Sequence, residues 1–279
     1  MVEHCPTKIA ILLTSLKCGG AERVTLNLAR AFSKNGIEVD ILLMSEEGEF
    51  LLEAKSEFNL VYLQCNKTYK LPNRLLRYIV QRKPDIVISG FWKLNICACI
   101  VKLMHPHFKL ILWEHSPPSK AIYNNKWLYA FSASILYRSA SVIVAVSTGV
   151  LDDLRRWTVG LRTKAVVIFN PINPPSICAL GVPKFRGGKH LIWVGRLADP
   201  KNPCLALEAF SIICGHCDAT LSFVGDGPLR GELERMSESL GLSEHVNFLG
   251  FRSNPYELMI ESDLLIVSSS SEGLPSVVI

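Results

Sequence analysis

The chain has 279 residues, 49% of them hydrophobic and 20% charged, with a formal net charge of +5. That content can build full hydrophobic cores and argues against disorder, and no apolar run reaches the ~18 residues that a membrane-spanning helix requires. Nine cysteines at irregular spacing fit a reduced, cytoplasmic protein better than a disulfide framework.

The charge is uneven. Residues 1–175 carry a net +9 and residues 176–279 a net −4, which suggests two bodies with different surfaces. The polar residues 1–7 and the short apolar run at 9–13 read as a start without a signal peptide.

In chain order, residues 8–14 read as a buried parallel strand. Gly19 and Gly20 follow, then a helix to about residue 35 whose apolar Val24, Leu28, Ala31 and Phe32 fall at helical spacing, with Gly36 closing it. Strands at 39–44 and 60–63 complete a βαβ order, which predicts a right-handed, doubly wound parallel sheet. The glycine pair lets backbone N–H groups approach a phosphate at a helix start. It is not the Gly-x-Gly-x-x-Gly fingerprint, and no acidic residue ends the second strand to hold a ribose. A plain tight turn accounts for the pair equally well.

Lys67, Lys70, Arg74 and Arg77 recur at three- and four-residue spacing, as on one helical face. A solvated face is the plainer reading; a surface for anionic lipid headgroups is the sharper one. No aromatic interleaving points to nucleic acid. A strand at 85–89, a helix at 92–104 and a strand at 109–113 lead to Glu114-His115-Ser116-Pro117-Pro118. A histidine at the carboxyl end of such a strand faces the ligand crevice of an open α/β sheet, although a lone histidine more often has a structural role. A helix at 123–137, a strand at 141–146, a helix at 149–157 capped by Ser147 and a strand at 166–169 close the first body.

Asn170-Pro171-Ile172-Asn173-Pro174-Pro175 reads as a linker, because three prolines in six residues forbid helix and central strand. The expected domains are 1–173 and 174–279. The second repeats the alternation: strand 190–194, a loop from Gly195 to Asn202 bearing Arg196 and Lys201, helix 203–214, strand 219–224, Gly225-Asp226-Gly227-Pro228, helix 229–240, strand 246–249, helix 254–261 and strand 264–267. Two cations five apart on a strand-to-helix loop suit a diphosphate. Cys214-Gly215-His216-Cys217 has redox-motif spacing but ends a helix, whereas a redox cysteine needs a helix N-terminus to lower its pKa. Gly225, Gly227 and Gly231 miss the dinucleotide spacing by one residue. After four serines, Glu272-Gly273-Leu274-Pro275 reads as a helix start with Ser271 as N-cap. With no stop signal before Ile279, the sequence reads as cut short.

Gly-Gly-Ala-Glu-Arg-Val, Trp-Glu-His-Ser, Val-Gly-Arg-Leu with Lys-Asn, Phe-Val-Gly-Asp-Gly-Pro, Phe-Leu-Gly-Phe and Ser-Ser-Ser-Glu-Gly-Leu-Pro occur in that order. The combination resembles the retaining GT-B glycosyltransferases of family 4, over almost the whole chain. The resemblance implies an α/β protein of two Rossmann-like, doubly wound domains facing a cleft: an N-terminal acceptor-side domain and a C-terminal nucleotide-sugar domain, here incomplete. It implies transfer of a sugar, from a UDP-linked donor in our reading, to a saccharide or lipid-linked acceptor.

By resemblance, Gly19 and Gly20 approach the donor diphosphate and His115 contacts the donor sugar. Arg196 and Lys201 bind the diphosphate and neutralise the leaving group. Glu272, with the backbone of Gly273 and Leu274, holds sugar hydroxyls; Gly195, Gly225 and Pro275 join the donor side. The family's second glutamate, eight positions after Glu272, would fall at position 280. No metal or other cofactor is expected, the nucleotide-sugar being a substrate. A cytoplasmic location, peripheral to an anionic membrane through Lys67, Lys70, Arg74 and Arg77, follows from the same reading, with no nucleic acid partner. Two alternatives stand beside it: an inactive, truncated glycosyltransferase-like chain, and a dinucleotide-binding oxidoreductase, disfavoured by the glycine spacing.

Overall fold

The computed structural model describes residues 8–17, 19–121, 126–158, 164–171, 188–252 and 254–279. The chain divides into two compact units, Met1–Ile172 with Glu272–Ser276, and Asn173–Ser271 with Val277–Ile279.

The first unit is built on a seven-stranded sheet in the order β3-β2-β1-β4-β5-β6-β7. Its strands are β1 (Lys8–Leu13), β2 (Glu38–Leu43), β3 (Asn59–Tyr62), β4 (Ile86–Gly90), β5 (Lys109–Glu114), β6 (Val142–Ala145) and β7 (Ala165–Val167). Every pairing is parallel. Parallel strands need long crossovers, and helices supply them: α1 (Gly20–Lys34), α2 (Leu51–Glu57), α3 (Leu71–Arg82), α4 (Trp92–Met104), α5 (Pro118–Ala121), α6 (Lys126–Leu136) and α7 (Thr148–Trp157). The continuous apolar runs explain the central strands, since Ile9 to Leu13 and Ile41 to Leu43 are at most 2% exposed. A carboxylate on β2 lies inside this layer. Asp40 on β2 is fully buried and accepts from the Tyr78 hydroxyl (2.5 Å) and the Asn59 amide (2.6 Å), with Lys8 Nζ at 3.4 Å and Arg82 at 3.3 Å.

The strand order reverses between β1 and β4, which places a topological switch point at their carboxyl ends. The β1–α1 loop, the start of α4 and the end of β5 meet that edge.

The second unit has a four-stranded parallel sheet, β10-β9-β8-β11. Its strands are β8 (Lys189–Val194), β9 (Ala219–Val224), β10 (Val246–Gly250) and β11 (Leu264–Ile266), joined by α8 (Pro203–Cys214), α9 (Arg230–Ser239) and α10 (Tyr256–Glu261). Leu191, Trp193, Leu207, Phe210, Leu221 and Phe223 form its core, and Phe223 stacks on Phe248 at 5.3 Å. The switch point lies between β8 and β11.

Four expectations need correction. The buried face of α1 is Val24, Thr25, Leu26 and Ala29, not the stripe through Ala31, which is exposed. Thr25 enters the core because its hydroxyl donates to the Ala21 carbonyl at 2.8 Å, so the polar group is satisfied within the helix. Lys67, Lys70, Arg74 and Arg77 do not share one α-helix. A 3-10 turn occupies Thr68–Lys70 with Lys67 outside it, and α3 begins at Leu71 with Pro72 in its first turn. No helix begins at Glu272: residues 272–275 carry no helix and Ser276 to Val278 form a turn. The strand expected at 166–169 is Ala165–Val167. The start of the helix expected at 123, and the linker from Ile172 on, lie outside the described residues.

Candidate functional site

At the first switch point, Gly19 is the N-cap of α1 and Gly20 its first residue, with the Arg23 N–H donating to the Gly19 carbonyl at 3.1 Å. Glu22, at the third helical position, folds back over Gly19; a Cβ there would overlap its carboxylate. The helix end therefore carries its own anion, and a phosphate reaching these amides displaces Glu22 first.

His115 leaves β5 beside this edge. Its ring packs on Trp113 at 4.4 Å and on Phe91 at 5.7 Å. Gly90 leaves room for it: a Cβ there would stand 3.2 Å from Nε2. Nε2 is buried without a hydrogen-bond partner among the described residues. Burial pushes the pKa down to about 4, so the imidazole is neutral at physiological pH. A neutral imidazole can give or take one hydrogen bond at a sugar hydroxyl without adding charge.

One residue earlier, Glu114 is 4% exposed and lies in a polar node. Its Oε1 accepts from the Tyr137 hydroxyl (2.5 Å) and the Asn95 amide (2.9 Å). Burial pushes its pKa up, against the pull of these two donors. Phe91, the N-cap of α4, holds φ at +70°, a strained value for a residue with a Cβ. Sequence reasoning singled out neither Phe91 nor a role for Glu114. No local signal marks either one, because the partners of Glu114 are 19 and 23 residues away.

At the second switch point the loop after β8 is fixed by backbone. The Gly195 N–H donates to the Val224 carbonyl (3.0 Å), that of Leu197 to Asp226 (3.0 Å) and that of Gly225 to Gly250 (2.9 Å). Gly225 adopts φ +141°, and a Cβ there would overlap the Gly195 carbonyl, so only glycine fits. On the other side, the buried Trp193 Nε1–H donates to Ser268 Oγ (3.0 Å). That hydroxyl faces the carbonyls of Lys201 (3.1 Å) and Asn202 (2.7 Å). The Ser270 N–H donates to the Pro200 carbonyl at 3.1 Å. The serines that break the strand pattern thus pin the loop bearing Arg196 and Lys201. Arg196 is exposed and Lys201 half-buried. A fixed backbone carrying two cationic side chains suits a ligand whose charge is larger than one ion pair.

Glu272, Gly273, Leu274 and Pro275 are all half-buried, and residues Glu272–Ser276 group with the first unit. Within it Gly273 lies against the His115 carbonyl, where a Cβ would overlap it. The structure thus gathers Gly195, Arg196, Lys201 and Gly225 at one switch point, and His115 with Gly273 at the other. Cys214 and Cys217 are free thiols at the end of α8, as its position in the sequence suggests. Among the described residues no group of three or more His, Cys, Asp or Glu side chains is placed to hold a metal ion, and no helix is long and apolar enough to cross a membrane.

Two parallel α/β units with phosphate-suited loops at their switch points define a sugar-transferring enzyme of the GT-B fold. The Glycosyltransferase Family 4 profile matches residues 18–175 and that of Glycosyl transferases group 1 matches residues 182–279, and the chain belongs to this glycosyltransferase family. It is 28% identical, over 98% of its length and 77% of the relative's, to N-acetylgalactosamine-N,N'-diacetylbacillosaminyl-diphospho-undecaprenol 4-alpha-N-acetylgalactosaminyltransferase of Campylobacter jejuni. It is 24% identical, over 93% and 71% of the two chains, to the lipopolysaccharide core biosynthesis glycosyltransferase LpsD of Rhizobium meliloti. In structure it is similar to HepE of Anabaena, solved with UDP and glucose, with a TM-score of 0.75 at 21% identity over 94% and 74% of the chains.

Proposed function

We propose that this glycosyltransferase moves a sugar from a UDP-linked donor to a lipid-linked saccharide, with retention of the anomeric configuration. The observation that carries the reading is the pinned loop with Arg196 and Lys201 at the carboxyl end of β8. Breaking a sugar–diphosphate bond develops negative charge on the leaving phosphate, and preorganised cations stabilise it without a metal. The neutral His115 imidazole hydrogen-bonds the donor sugar, and Glu272 with the Gly273 and Leu274 backbone holds its hydroxyls. Attack comes from the face the diphosphate leaves, and the leaving phosphate takes the acceptor proton. No protein nucleophile is required.

The donor assignment is supported by the UDP complexes of the Anabaena protein, and the acceptor class by the undecaprenol-linked substrate in the Campylobacter enzyme's name. The cationic α3 region belongs to the acceptor side. Lys70, Arg74 and Arg77 line one surface cleft with Tyr69 and Asn73, a surface suited to an anionic bilayer.

The test is transfer of radiolabelled sugar from UDP-glucose, UDP-N-acetylglucosamine and UDP-N-acetylgalactosamine, and from GDP- and ADP-glucose, to undecaprenyl-diphosphate saccharides, with NMR of the product's anomeric proton. An α-linked product from an α-linked donor is expected. A β-linked product refutes retention, and transfer from GDP- or ADP-sugars alone refutes the donor.

A further inference from the structure

We propose that Glu114 is a positioning residue for His115: its buried carboxyl group, gripped by Tyr137 and Asn95, fixes the end of β5 so that the imidazole is presented in one orientation. This rests on the reading of His115 as a contact to the donor sugar.

His115 Nε2 has no hydrogen-bond partner among the described residues; its ring packs on Trp113 and Phe91 and fills the space left by Gly90. Its orientation is therefore set by packing and by the backbone that delivers it. In an extended chain successive side chains point to opposite sides. Whatever holds residue 114 on one side thus aims residue 115 to the other. Glu114 is held twice through its side chain, and its carbonyl accepts the Val146 N–H at 3.2 Å.

One turn of α4 serves both residues. Asn95 reaches Glu114, while Phe91, whose carbonyl accepts the Asn95 N–H at 2.9 Å, lays its ring against His115. The strained φ of Phe91 is kept despite its cost, which fits a ring held for a purpose. Tyr129 closes the node, edge-on to Tyr137 at 6.3 Å and to Trp92 at 5.6 Å. An apolar residue of similar volume in place of Glu114 would avoid the desolvation of a carboxyl group. A directional polar group here supplies what an apolar one lacks, a defined orientation for the strand end.

The experiment uses the full chain labelled with 15N at its seven histidines, with His115→Ala assigning the signal. In the unsubstituted chain His115 stays neutral to near pH 4. In Glu114→Ala the titration midpoint moves up toward the free-histidine value of about 6.5. With UDP-N-acetylgalactosamine as donor, kcat falls by about tenfold or more while UDP affinity stays within about twofold, the signature of a lost transition-state contact. Glu114→Gln keeps the acceptor oxygen and returns both readings to within about threefold of the starting chain.

A Glu114→Ala chain with unchanged His115 titration and unchanged kcat overturns the proposal, even where its melting temperature drops. Should Glu114→Ala not fold, Tyr137→Phe removes one donor and is read in the same way. Full activity of His115→Ala would instead refute the donor-sugar contact, while the titration still reports on the positioning.

Discussion

The end of β5 in the first unit and the loop after β8 in the second are ordered by opposite means. At β5 burial dominates: a neutral histidine between aromatic rings, a carboxyl group on two donors, and polar atoms of Ser89, Trp92 and Asn95 without a hydrogen-bond partner among the described residues. After β8 the side chains stay near solvent, and precision comes from backbone hydrogen bonds and a glycine that admits no Cβ. Burial at β5 disfavours the charged imidazole and leaves its Nε2 without a partner among the described residues. Arg196, by contrast, is exposed and Lys201 half-buried, on a loop held by its backbone. Substitutions of buried groups in the first region should therefore register in stability and pH dependence, and in the second those of the backbone frame in stability and those of the solvent-facing side chains in turnover.

The largest effect expected is on stability, in the first unit. Asp40→Ala leaves Lys8, Tyr78 and Arg82 around an empty acceptor and should cost about 3–5 kcal/mol in urea unfolding. A cost below ~1 kcal/mol would show that burial does not govern this region. In the second unit Gly225→Ala forces a Cβ against the Gly195 carbonyl and should cost about 2–3 kcal/mol while displacing the Arg196 loop, measured by thermal melts and by lost UDP binding.

Arg196→Ala removes a charged hydrogen bond worth about 1.5–3 kcal/mol in the transition state, a loss of roughly tenfold to a hundredfold in kcat/KM, with Tm within ~1 °C. An equal drop in Tm would erase the distinction between the two regions.

The acid side sharpens it further. His115 has a depressed folded pKa, so its stabilisation is complete above the unfolded value near 6.5 and is lost as pH falls toward about 4, by about 2–3 kcal/mol. Burial pushes the Asp40 carboxyl up, but bonds from Tyr78, Asn59 and Arg82 and the charge of Lys8 outweigh it and leave its pKa lowered. Its contribution is lost at lower pH, as pH falls through the unfolded aspartate range and below. Unfolding curves between pH 7 and 3 should show two windows, and His115→Phe should abolish the upper one.

The smallest effect per residue is at the cationic surface around α3. Replacing Lys67, Lys70, Arg74 and Arg77 by Gln should weaken co-sedimentation with phosphatidylserine vesicles by about 1 kcal/mol per charge, with UDP binding intact. Sedimentation that does not change returns these residues to a solvated surface.

Much of the fold was legible because parallel strands announce themselves as apolar runs. The runs at 9–13 and 191–194 lie in β1 and β8. The face of α1 was misread because Thr25 is polar in sequence but satisfied inside its own helix. The Lys67–Arg77 spacing mimicked one helix because spacing alone does not show where Pro72 starts the α-helix. At the candidate site, the loop residues Gly195, Arg196, Lys201 and Gly225 stood out through glycine and charge. The serines after β11 read only as a strand end, since their hydrogen bonds to Trp193, Lys201 and Asn202 cross 66 to 75 residues. The Glu114 node was hidden for the same reason: burial and tertiary hydrogen bonds leave no periodic trace.

The central claim is that the loop after β8 binds the diphosphate of a UDP-linked sugar. Isothermal titration of UDP into the chain, into an Arg196→Ala, Lys201→Ala double variant, and of NAD+ into the unsubstituted chain tests it most directly. The account predicts saturable UDP binding, a loss of about a hundredfold or more in the double variant, and no heat from NAD+. UDP binding that survives both substitutions, or tighter binding of NAD+, would contradict it.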